Sequence, residues 1–370
     1  MAGTSVVEKR VLARTREWRN VDRETFDNEI RPLDRPAVLK GLAADWPVVR
    51  AATQSRQALY DYIRQRDTGH PTETYIGPPN IKGTFFYHDD MSGLNFDRRL
   101  LPFHETISAI IALSNRSDAP ALFAPGALGT ILPEFVRENT LDILAKNAEL
   151  RLWGGNAVTT PTHYDTVDNV ACVAAGRRRF TFFPPDQLRN LYIGPLDLTP
   201  GGMPTSMVRV AEPDLVRYPN YAKALAAGES AELELGDAVF IPNHWWHNVE
   251  SLEPVNLLVN FWWLDSSRGP ASPFAALAHG LLSISALPES RREIWQQMFD
   301  HYVFQTGGDP VPYLPQDRRG MLGPMSAKLE NYMRTQIVRS MTRALPKDVR
   351  AQIQQWMMSA APSVDKDYPS

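Results

Sequence analysis

The 370-residue chain contains one cysteine, Cys172, which excludes both an intramolecular disulfide framework and a multi-cysteine zinc site. It has no surplus of charge of either sign. Its 39 Lys and Arg stand against 42 Asp and Glu, a formal net charge of -3, whereas a dedicated nucleic-acid binder carries a basic excess. Long apolar runs are missing too: no stretch approaches the roughly 18 residues that a membrane-spanning helix needs. The opening "MAGTSVVEKRVLARTREWRN" has no apolar region of the kind a secretory leader carries. These absences predict a soluble, cytoplasmic protein in a reducing compartment, with neither membrane nor nucleic acid as its main partner. Proline (30) and tryptophan (9) are plentiful, in a composition that is 43% hydrophobic. Such a chain can bury a sizeable core in one large domain or two, and it is loop-rich because proline interrupts helices and central strands.

Patterning divides the chain into three parts. In the first, "VDRETFDNEI" and "SRQALYDYIRQR" have helical spacing and "PAVLKG" reads as a short strand, followed by the aromatic, Gly- and Asn-broken loop "FFYHDDMSGLNF". The middle is β-rich: "RLWGGN", "NVACVAAG", "RRRFTFFPP", "AELELGDAVFIP", "WWHNVES" and "VNLLVNFWWL" are strand candidates. Hairpin turns are expected at Gly176 and at Gly236–Asp237. Short strands without βαβ alternation predict a sandwich or barrel. After about residue 271 the pattern turns helical, amphipathic and Met-rich. The expected division is therefore 1–100 flanking the core, 101–270 forming it, and 271–370 a helical region able to mediate dimerisation.

The chemistry concentrates in "TTPTHYDTVDNVACVAAGRRRF". On an extended segment His163 and Asp165 point to one side, so an imidazole and a carboxylate can converge on one ion. The bland alternative is a pair that satisfies loop backbone groups. His247, at the end of an apolar strand, supplies a third ligand if two antiparallel strands bring it opposite, with His244 as rival. Two histidines and a carboxylate that leave positions open form the ligand set of non-haem Fe(II) oxygenases. Such an enzyme must hold a dianionic co-substrate, and the planar fork of arginine suits a carboxylate. Within "GRRRF", Arg177 and Arg179 share one face of a strand and Arg178 takes the other, so Arg178 is the candidate for the interior. The competing possibility is that all three are solvated or ion-paired at the surface.

With "RPAVLKGLAADWPV" before it and "LELGDAVFIPNHWWHNVES" and "VNFWW" after it, this segment resembles the cupin-like JmjC family of Fe(II)- and 2-oxoglutarate-dependent oxygenases. The resemblance implies a mainly β fold, a double-stranded β-helix (cupin or jelly roll) of eight core strands with flanking helices and a C-terminal helical region. It implies Fe(II) held by His163, Asp165 and His247 rather than His244. It also implies 2-oxoglutarate bound with Thr160, Asn169, Asn260 and Arg178, and O2 as oxidant. Arg178 stands where the better-known asparaginyl hydroxylase has lysine, and Phe123 where related enzymes often carry tyrosine. The expected activity is hydroxylation of a protein or peptide side chain, with a small molecule as another possible substrate. Tyr87, Asp89, Asp90 and Asn95 are the candidate substrate contacts. The alternative is a metal-binding cupin without oxidative chemistry, an isomerase, hydrolase or sensor holding Zn or Mn.

Overall fold

In a computed structural model, which describes residues 12–144, 148–264, 272–343 and 345–360, side-chain alternation along the strands organises the fold. Along the strand Asp168–Ala175, Val170, Cys172 and Ala174 pack into one apolar cluster and Ala171 and Val173 into another. The strand Asn256–Trp263 repeats this, with Leu257, Val259 and Phe261 on one side and Leu258 on the other. Period-two alternation with apolar residues on both faces places these strands between two layers. One layer is helical, built from Pro47–Gln54, Arg56–Arg66 and Phe103–Leu113. The other is a second sheet, which contributes Phe180, Phe182, Leu233 and Val249.

The larger sheet has nine strands, in the order Glu17–Arg19, Ala37–Lys40, Ala238–Ile241, Asp168–Ala175, Asn256–Trp263, Glu149–Gly155, Ala121–Ala127, Pro71–Gly77 and Asp97–Pro102. The smaller has five, in the order Ala13–Arg14, Glu229–Leu233, Arg178–Phe183, Trp246–Ser251 and Thr159–His163. From Glu149–Gly155 to Asn256–Trp263 the chain crosses between the sheets at every step except one, Arg178–Phe183 to Glu229–Leu233, which pair with each other in the smaller sheet. For that reason the turns at Gly176 and Gly236–Asp237 are corners from one sheet to the other and not the expected hairpins: 168–175 and 178–183 do not pair, nor do 229–233 and 238–241. Gly176 has φ +73, and a Cβ there would lie 2.3 Å from Asn256 Oδ1, so glycine alone fits the corner. At the second corner, Asp237 accepts from Lys40 Nζ and from the Gly41 and Glu234 amides.

The helix Pro47–Gln54 was not expected from the sequence. "DWPVVRAATQ" is entered through a proline at its first position, with Val48 and Val49 buried. The chain divides into the compact units Met1–Asp265 and Ser266–Ser370. Within the first unit, Ala37–Lys40 pairs inside the large sheet and Pro71–Gly77 and Asp97–Pro102 extend it. The second unit is helical, with Pro273–Ser283, Glu289–Tyr302, Ala327–Arg343 and Lys347–Ala360. Among the described residues no helix is long and apolar enough to cross a membrane.

Candidate metal centre and its cavity

Two paired strands build the metal site. His247 on Trp246–Ser251 stands directly opposite His163 on Thr159–His163, with ring centroids 4.3 Å apart. A bulge between His247 and Val249 shifts the register, and the Asn248 side chain closes the gap by donating to the Thr160 carbonyl at 2.9 Å. Bulges of this kind re-aim side chains beside functional sites. His163 Nδ1 donates to the Pro161 carbonyl at 2.8 Å and His247 Nδ1 to the Trp245 carbonyl at 3.0 Å. Both donations fix the tautomer, leaving each Nε2 with its lone pair free for a metal. Asp165 Oδ2 lies 3.7 Å from His247 Nε2, and the ligand atoms of His163, Asp165 and His247 all lie within 4.8 Å of one another. Burial, reinforced by His163, pushes the His247 imidazole down to about 4, with Asp165 opposing the shift. At neutral pH it is therefore an uncharged, ready ligand.

His244 takes no part in the cluster. It is exposed, has φ +63, and turns its ring nitrogen to Asn243 while its amide donates to the Asp165 carbonyl at 2.8 Å. The rival histidine thus holds the loop of a ligand through its backbone. Trp245 and Trp246 are buried core residues.

The centre opens into a cavity of about 540 Å3, lined by His163, Asp165, His247, Thr160, Asn169, Arg178 and Asn260 among others. The expected iron and co-substrate residues therefore share one chamber. Asn169, Asn260 and Arg178 are buried, and both amide atoms of Asn169, Oδ1 of Asn260 and Nε of Arg178 lack hydrogen-bond partners. Buried polar atoms are rarely left so, and several around one cavity mark a chamber made for a polar ligand. Arg178 is 2% exposed, and among the described residues its side chain makes one hydrogen bond, from Nη2 to the Trp153 carbonyl at 3.2 Å. Burial pushes its guanidinium down to about 9, still charged at neutral pH. Among the described residues no carboxylate pairs with it. The donor set fits an Fe(II) ion at one position and an anionic co-substrate at the other.

The four candidate substrate residues lie elsewhere, because none lines this cavity. Tyr87 is buried and its hydroxyl donates to the Leu198 carbonyl at 2.7 Å. Asn95 accepts from the Phe86 amide and donates to the Thr84 carbonyl. Asp90 accepts from the Ser92 amide, and Asp89 is exposed. Asn95 and Asp90 thus serve the loop's own backbone, as short polar residues in turns do. The lining includes Phe123, which the family resemblance had singled out, and also Arg151, Trp153, Phe180 and Trp262, which the sequence did not mark as contacts. Two of them were within reach of the alternation rule: Phe180 stands two positions after Arg178 and Trp262 two after Asn260.

Comparison with known proteins agrees with this geometry. Residues 23–269 match the Cupin-like domain family. The chain is 35% identical over 272 residues to lysine-specific demethylase JMJ31 of Arabidopsis thaliana, covering 64% of this chain and 47% of that protein. It is 29% identical over 322 residues to tRNA wybutosine-synthesizing protein 5 of Homo sapiens, covering 74% and 90%. Against HSPB1-associated protein 1 of Homo sapiens it is 35% identical over 116 residues, covering 31% and 23%. The chain thus spans less than half the length of the demethylase and of the HSPB1-associated protein. With the match running through both sheets and all three ligand positions, the chain belongs to the cupin-like JmjC family.

Proposed function

We propose that this protein is an Fe(II)- and 2-oxoglutarate-dependent oxygenase that hydroxylates a protein or peptide side chain. The observation that carries the reading is Arg178, a buried cation without an anionic partner in the same chamber as two histidines and a carboxylate poised for a metal. Iron bound by His163, Asp165 and His247 would supply oxygen activation, in which one O2 converts 2-oxoglutarate and a C–H bond into succinate, CO2 and a hydroxyl group. The chain's own residues do the rest. Arg178 and Thr160 anchor the distal carboxylate, Asn169 and Asn260 offer amides near the co-substrate, and Phe180, Val249 and Leu258 keep that end apolar and dry. Dryness strengthens the ion pair with Arg178 and keeps water from competing.

A relative named as a lysine demethylase supports a protein substrate. One named for tRNA modification makes RNA the competing substrate, but the net charge of -3 favours protein. A second copy of the chain is the proposed partner of the C-terminal helices, on which Leu277, Leu281, Ile294, Trp295, Met298 and Tyr302 are exposed. Light scattering should then give twice the chain mass of 41.6 kDa. Cytoplasmic residence completes the proposal, since the single cysteine, Cys172, provides none of the intramolecular disulfides that oxidising compartments favour.

The deciding experiment is anaerobic addition of Fe(II) and 2-oxoglutarate. A weak visible charge-transfer band is expected, lost in His163→Ala, with succinate released on admission of air. No band and no succinate from the intact protein would leave the non-oxidative metal cupin as the better reading.

A further inference from the structure

The cavity contains a polar group that the proposed reaction has not used. Trp153 lies on Glu149–Gly155, with Phe123 nearly parallel to it at 5.9 Å between ring centroids and Trp262 at 6.0 Å. Its ring packs with Phe180, Val249 and Leu258 between the sheets. Its indole Nε1 is buried and has no partner among the described residues, although an indole N–H can only donate. Its carbonyl accepts from Arg178 Nη2 at 3.2 Å, and Arg178 Nε is unpartnered as well. Two residues joined by a hydrogen bond and lining one cavity therefore each keep a buried donor unspent. A carboxylate has about four lone-pair positions and a guanidinium fork occupies two of them, so an anion paired with Arg178 has capacity for a further donor.

We propose that Trp153 Nε1 donates a hydrogen bond to the same co-substrate carboxylate that Arg178 pairs with, which makes Trp153 a co-substrate-binding residue. This rests on the 2-oxoglutarate reading above. The aromatic neighbours then have a second purpose: rings packed around the indole restrict its rotation and hold the N–H in place for the anion.

Calorimetric titration of the Mn(II)-loaded protein with 2-oxoglutarate and with 2-oxobutyrate, which lacks the distal carboxylate, separates the outcomes. Trp153→Phe should weaken 2-oxoglutarate about tenfold, as loss of a hydrogen bond to a charged group does, and leave 2-oxobutyrate unchanged. Equal weakening of both ligands, or of neither, overturns the assignment. Failure of the wild-type protein to bind 2-oxoglutarate overturns the underlying co-substrate reading instead. A second measurement needs no folded variant. In 15N-indole spectra of the wild-type protein, one of the nine tryptophan N–H signals should move downfield with 2-oxoglutarate and stay in place with 2-oxobutyrate. Identical spectra with the two ligands also overturn it.

Discussion

The two faces of one strand, Arg178–Phe183, treat arginine in opposite ways. On the outer face Arg179 reaches Glu232 at 2.7 Å and Glu250 at 2.8 Å, and just before the strand Arg177 meets Glu253 at 2.9 Å. These side chains are 42% exposed, and their carboxylate partners hold the guanidiniums above the ordinary arginine range. On the inner face Arg178 is buried and forms no ion pair among the described residues, and burial alone pushes it down. A folded chain does not leave a buried charge uncompensated without cost. The outer pair serves the fold, whereas the inner one is the cation that the proposed co-substrate would neutralise. Imidazoles repeat the contrast, with His244 exposed beside the turn and His247 buried at the metal centre.

The sharpest way to break this comparison is Arg178→Met. It should lower 2-oxoglutarate affinity about 100-fold, read by calorimetry, because a buried charged hydrogen bond and its ion pair are lost together. The ligand-free protein should become no less stable, and by analogy with other buried charges replaced by apolar residues gain roughly 1–4 kcal/mol in urea denaturation. A marked loss of stability would instead make Arg178 a structural residue.

His247 tests the same interior through pH. Its imidazole is held near 4 in the fold and titrates around 6.5 in the unfolded chain. Between those values the unfolded state binds more protons than the native one. The contribution from the neutral imidazole is therefore complete above about pH 6.5 and lost as pH falls towards 4, about 3 kcal/mol in all. Denaturation of metal-free protein across that window should show the slope, and His247→Asn should flatten it. An unchanged slope in the variant would assign the acid sensitivity to other groups.

The smallest effect belongs to the outer face. Arg179→Ala should cost less than about 1 kcal/mol, as exposed ion pairs do, and leave 2-oxoglutarate affinity unaltered. A large change in that affinity would erase the difference between the two faces.

Much of this was legible without coordinates. Period-two alternation placed Arg178 opposite Arg177 and Arg179, and the strand candidates of the middle segment all form strands. His163 and Asp165 were legible as a pair because side-chain geometry over two residues is a local property. Contacts between distant segments were not. The turn glycines were recognisable as turns, but whether a turn closes a hairpin or carries the chain to another sheet depends on what lies on the far side, here Asn256 for Gly176. The polar loop at 87–95 read as a binding surface from composition, which does not say whether a side chain faces a cavity or, like Asn95 and Asp90, its own backbone.

The sequence by itself therefore determined the alternation, the spacing of the ligands and the resemblance that joined them. Only the tertiary structure decided that His247 stands opposite His163, that Arg178 has no carboxylate partner among the described residues and that Trp153 shares its cavity. Alternation is fixed by the backbone within a few residues, whereas an unpartnered donor is defined by everything packed around it.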